Sequence, residues 1–308
     1  MRRISPSVDS AGSECVSSSR RQLLGGLIAG CYCYWAYSAA YGASGAPIAL
    51  PVPIRGKGYA LVQNWDFGAN ITDDRRLRDA FFTRYIYDDG KLDSLNDEWT
   101  RYRDNANHVF ENGALSLVAR VKGPFRAGNI ESGMLRSKWS GTFGYIEGRM
   151  KVPRGPGMWP ALWLNPQDKG WPPEIDIVEI VDNGKDTTSN SFHFLHGRDA
   201  AKAQVFSSKL DSTHSYRPGF DYADGFHTFA VEWTPTRVTH FVDDVLVSDR
   251  AFAWRHDDGV DAGPAHILLN LSVGGKWPGP PRSIEQFPAK LEVAYLRVWQ
   301  KQPGDQTR

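Results

Sequence analysis

Hydrophobic and polar positions alternate with a period of two through most of the chain between Gly58 and Gln300, in short separate runs. Runs of about four to eight residues rich in β-branched and aromatic side chains read as strands with one buried face. They include Ala114–Arg120, Tyr145–Val152, Ile175–Ile180, Thr228–Trp233, Val238–Val242, Ile267–Val273 and Leu291–Trp299. Turn chemistry separates them, as at Asp89-Gly90, Asn112-Gly113 and Asp224-Gly225. The segment Val238–Val247, with Asp243-Asp244 at its centre, reads as a hairpin, and the best helical stretch is a turn or two around Asp73–Phe82. Many short strands with no repeat and no second helical layer predict an all-β protein, a jelly-roll sandwich of two antiparallel sheets. One curved sheet face would form a concave substrate cleft.

The alternation breaks at Glu174-Ile175-Asp176-Ile177-Val178-Glu179. On a regular strand Glu174 and Asp176 share a face, while Glu179 points to the other side, into the apolar core. A lone carboxylate there is costly. One extra residue, a β-bulge near Val178, would return Glu179 to the face of the other two and line up three acids along one cleft. Such a row suits glycoside hydrolysis, which needs an ionised and a protonated carboxyl; crowding splits their proton affinities. A solvated acidic edge strand or an oxygen-ligated calcium site would also hold clustered acids.

Aromatic side chains strengthen the first reading. Of 11 Trp, ten follow residue 46, and sugars present flat C–H faces to such platforms. Trp159, Trp163 and Trp171 crowd the acids, either as cleft walls or as core. Trp277 lies in Gly274-Gly-Lys-Trp-Pro-Gly-Pro280, a loop by composition. Glu147 and Arg149 share one strand face and could be a surface ion pair. His193 reads as a packed strand histidine and stays outside the catalytic set.

Two long segments, Gly144–Trp163 and Trp171–Glu179, are followed by Phe226–Pro235 and Leu269–Pro280. These four, in this order, resemble glycoside hydrolase family 16, in the laminarinase-like branch with two residues between the last two acids. The likeness runs from about Trp65 to Gln300. It implies a concanavalin A-like sandwich and a retaining endo-β-glycanase, with Glu174 as nucleophile, Asp176 as assistant and Glu179 as acid/base. It also implies that Glu147 and Arg149 contact sugar in the cleft, as do Asn270, Trp277 and the Trp159, Trp163 and Trp171 cluster. Ala294 stands where many members place a calcium-binding Asp, which argues against a structural metal. The implied substrate is a β-1,3- or mixed β-1,3/1,4-linked glucan, with a bacterial exopolysaccharide or algal galactan, transglycosylation, and a non-catalytic lectin as alternatives. No cofactor is required.

Residues 1–21 carry four Arg, and an uncharged stretch follows from Gln22 to Ile54. A basic start before an apolar centre describes an export signal over residues 1–45, ahead of one catalytic domain at 46–308. Ser19-Arg-Arg-Gln-Leu-Leu24 resembles a twin-arginine signal, and Ile28-Ala-Gly-Cys31 a lipobox. Cleavage near Ala40, a lipid on Cys31 and an uncleaved anchor all remain open. A periplasmic or extracellular monomer is expected, with membrane contact only through that leader. All three cysteines, Cys15, Cys31 and Cys33, precede the domain, so it has neither disulfides nor thiolate metal sites. Beyond residue 31 the balance is 32 basic against 33 acidic residues (36 − 4 and 35 − 2). That neutrality gives no footprint for nucleic acid and fits a polysaccharide.

Overall fold

The computed structural model describes residues 47–182, 190–193, 195–198, 205–206 and 214–302. The segment expected to be an export signal, with its paired arginines and Cys31, lies outside the described residues. The alternating pattern resolves into two sheets. One runs, in spatial order, Val245–Ala251, Arg237–Val242, His227–Trp233, Gly144–Lys151, Ala289–Lys301, Ala114–Val121, Ile130–Ser132 and Thr100–Tyr102, with Tyr59–Asp66 and His108–Glu111 paired onto it. The other runs Val205–Phe206, Leu195–Arg198, Glu174–Ile180, Met158–Pro166, Ala265–Val273, Met134–Gly141 and Phe81–Phe82, with Ser191–His193 and His214–Tyr216 alongside. The pairings are antiparallel except that of Thr100–Tyr102 with Ile130–Ser132. The predicted hairpin is present, turning at Asp243 and Asp244, whose φ of 46° and 65° match a two-residue type I′ turn. The short helix is Asp74–Ala80, capped where the Asp73 side chain accepts from the Arg76 backbone N–H.

Between the sheets lies one core. Ile146 and Met150 face Leu162, Leu164, Ile175, Ile177, Leu269 and Leu271 from the opposite sheet, all essentially dry. Gly148 belongs to the same inward row, and a Cβ there would meet Leu162 Cδ2 at 2.7 Å. A smaller apolar layer covers the outer surface of the second sheet: Tyr85, Tyr102, Met134, Ala161, Trp163 and Leu268, under Tyr87, Leu92 and Leu95. It explains why Ala265–Val273 is buried on both faces. The segment from Tyr85 to Tyr102 therefore forms one bank of a cleft whose floor is that sheet.

Candidate active site

The strand Glu174–Ile180 departs from regular pairing with Met158–Pro166 at one point. Asp176 stands opposite Trp163 and Val178 opposite Leu162, so Ile177 is the additional residue. Ile177 and Val178 both join the core, and Glu179 returns to the outer face. The expected bulge is thus present, one position earlier than Val178. Glu174, Asp176 and Glu179 line one cleft of about 760 Å³ with Trp159, Trp163, Trp171, Asn270 and Trp277.

Each acid has a partner. The Trp171 indole N–H donates to Glu174 Oε2 at 3.0 Å, and that of Trp159 to Glu179 Oε1 at 2.8 Å. Asp176 and Glu174 share a hydrogen bond. Burial raises the proton affinity of all three. Glu174 is pushed up to about 7, its indole and Asp176 hydrogen bonds working against burial. Glu179 is pushed up to about 8, burial and the nearby Glu174 charge outweighing the Trp159 bond. Asp176 rises well above the usual carboxylate range through burial and both neighbouring charges. Two donors favour the Glu174 carboxylate where Glu179 has one, and the titration belongs to the cluster as a whole.

The aromatic residues divide by position. Trp171 is 57% exposed and forms a lip near His196, ring centroids 5.5 Å apart. Trp159 and Trp277 meet edge to face at 5.4 Å, with Phe192 against Trp277 at 5.2 Å. Trp163 is buried and works as floor, its N–H donating to Asn270 Oδ1 at 2.8 Å. Asn270 Nδ2 then donates to the Tyr102 hydroxyl and to Ser272 Oγ, and Tyr102 donates to Glu98 at 2.9 Å. The sequence signalled none of Tyr85, Tyr87, Glu98, His196 or Ser272, all of which line the cleft.

Glu147 and Arg149 are not in this cleft. Ile146 and Met150 point inward, so alternation turns Glu147 and Arg149 to the outer surface of the sheet that lacks the acids. There they line a recess of about 330 Å³ with Thr228, Asp243, Asp244, Tyr295 and Arg297. The role implied by the family resemblance is corrected accordingly: these two residues sit across the sandwich from the acid-lined cleft. Among the described residues, the grouping of acids and histidine compact enough for a cation is Glu174, Asp176 and His196, with donor atoms within 4.8 Å of one another. It coincides with the acid row.

The family model of glycosyl hydrolases family 16 matches residues 96–296, an interval holding the whole acid row. The chain belongs to glycoside hydrolase family 16. As a family 16 member it is a glycoside hydrolase. A β-glucanase of Rhodothermus marinus is 36% identical over 205 residues, covering 61% of this chain and 68% of that protein. The endo-1,3-1,4-β-glycanase ExsH of Rhizobium meliloti is 31% identical over 198 residues, covering 61% of this chain but only 38% of ExsH. Among solved structures, the laminarinase catalytic domain of Thermotoga maritima aligns with a TM-score of 0.63 at 28% identity, covering 80% of this chain and 99% of that one.

Proposed function

We propose that this family 16 enzyme is a retaining endo-β-glucanase cutting internal bonds of a β-1,3- or mixed β-1,3/1,4-linked glucan, with Glu174, Asp176 and Glu179 as its catalytic residues. The observation that carries the reading is the bulge at Ile177, which returns Glu179 to the cleft that Glu174 and Asp176 line. The ionised Glu174 attacks the anomeric carbon while Glu179 gives its proton to the departing glycosidic oxygen. Asp176 holds Glu174 in place and shares its charge. Glu179, now a carboxylate, takes a proton from water as that water displaces Glu174, and retention follows from two inversions. Trp171 and Trp159 orient the acids, and Trp277 with Asn270 supports sugar binding. The names of the relatives support the glucan.

The basic, then apolar, leader supports export to the periplasm or beyond, with cleavage near Ala40 or a lipid on Cys31 as its outcome. The enzyme would act there as a monomer on polysaccharide.

Release of reducing ends from laminarin and mixed-linkage β-glucan tests the activity, and proton NMR of the first product tests retention. Glu174→Ser should lower kcat by more than about 1,000-fold, the scale seen when a catalytic group is removed, with folding intact. Wild-type turnover in that variant, or an inverted first anomer, would remove Glu174 from the nucleophile role.

A further inference from the structure

Two buried histidines that the chemistry above does not use meet at the bulge. His193 is 1% exposed, and its Nδ1 lies 2.5 Å from the carbonyl oxygen of Ile177. His240 belongs to the opposite sheet, where Val238, His240 and Val242 face inward. It is fully buried and crosses the core to place Nε2 3.1 Å from the carbonyl oxygen of Asp176. The two rings are 4.9 Å apart, tilted by 54°.

The bulge explains why these carbonyls need donors. On the side away from Met158–Pro166, Glu174 and Ile175 pair with His196 and Leu195, and Glu179 and Ile180 pair with Phe192 and Ser191. Residues 176–178 fall between the two stretches. Carbonyls inside the core must find a partner or destabilise the fold, and the imidazoles supply it.

A carbonyl only accepts, so both ring tautomers are assigned. His193 carries its proton on Nδ1, leaving Nε2 to accept from the Ser191 hydroxyl at 3.3 Å; Ser191 Oγ in turn lies 3.1 Å from the Tyr222 hydroxyl. His240 carries its proton on Nε2, and its Nδ1 has no partner among the described residues. Charging His240 would add a buried N–H with nothing to accept it. Burial holds both rings neutral, His193 down to about 4 and His240 well below the usual histidine value.

We infer that His193 and His240 are positioning residues, which hold the bulge through the Ile177 and Asp176 carbonyls and so set the spacing between Glu174 and Glu179. The inference rests on the reading of those two acids as nucleophile and acid/base. That spacing is what separates retaining from inverting geometry, at about 5–5.5 Å for retention. A shift of about 1 Å in such a site costs on the order of 100-fold in rate.

The two histidines donate from different ring atoms, which gives a specific test. Asparagine places its amide nitrogen near where histidine has Nδ1, and glutamine places its own near Nε2. His193→Asn and His240→Gln therefore keep the donors, His193→Gln and His240→Asn misplace them, and His193→Leu and His240→Leu remove them. With the full-length protein on laminarin, the leucine variants should lose about 10- to 100-fold in kcat with KM nearly unchanged, and the alkaline limb of the pH profile should move. The matched amides should recover most of kcat and the original limb, and the misplaced amides should not. Wild-type kcat in the leucine variants, or equal recovery by matched and misplaced amides in step with Tm alone, would overturn the inference. If the leucine variants do not fold, the amide comparison decides, and loss of folding in all four amides counts against it. A wild-type protein inert on every β-glucan would instead sink the reading of the acids.

Discussion

Glu174 and Glu179 differ in what opposes their burial, and that difference should govern activity against pH. Glu174 has an exposed indole and Asp176 as donors; Glu179 has Trp159 as donor but also feels the charge of Glu174. Activity should fall as pH drops through about 7, where Glu174 gains its proton. It should fall again as pH rises through about 8, where Glu179 loses its own. A narrow bell in kcat/KM is expected, and a flat profile from pH 5 to 9 would contradict it. Glu147 makes the contrasting case. Burial lifts its carboxyl from 4.5 to about 7. Between those values the folded protein holds a proton that the unfolded chain has released, so this group's stabilisation is complete below pH 4.5 and lost as pH rises through 7. Glu147→Gln should leave kcat/KM within about twofold and should gain on the order of 5 °C in Tm relative to the parent between pH 6 and 9. A large rise in KM would return Glu147 to the sugar site.

At the scale of elements, the strands and the helix were legible because period two, turn residues and one cap suffice to mark them. The bulge was legible only through its conflict: a strand that reads regularly would have buried a carboxylate at Glu179. The same alternation, applied to Tyr145–Val152, could say that Glu147 and Arg149 share a face but not which face, and the resemblance supplied the wrong one. Ile146 and Met150 held the answer, since their apolar row must meet the core. The bank from Tyr85 to Tyr102 was not legible, because its packing depends on tertiary contacts with Trp163 and Leu268 rather than on any local period. Its hub is Tyr102, which touches Glu98, Asn270 and Ser272 through one hydroxyl. Tyr102→Phe leaves these buried groups short of a partner and should cost about 1–3 kcal/mol in denaturant unfolding, with a raised KM. An unchanged midpoint would mean the network is idle. Gly274 is also fixed by its surroundings, with φ of 74° and a Cβ position 2.5 Å from Trp99 Cγ; it starts the loop that presents Trp277.

Over the described residues, stability comes from the apolar interface between two sheets, with no cysteine to form a covalent staple. Cys15, Cys31 and Cys33 all precede residue 47. A strong reductant should therefore leave Tm within about 1 °C, and a loss of several degrees, on the scale of a broken cross-link, would contradict this. The same interface couples the sheets functionally, because His240 carries a donor from one across to a carbonyl of the other.

Ile177 has a consequence for how related chains should be compared. Without it, Asp176, Val178 and Glu179 would follow one another opposite Trp163, Leu162 and Ala161 in an unbroken ladder. All three acids would then face outward from an ordinary pleat. A one-letter gap in an alignment at this point need not signal a lost enzyme. It marks a relative that presents the same acids from a straighter backbone, with no stranded carbonyls and so no use for a pair of imidazoles beneath them.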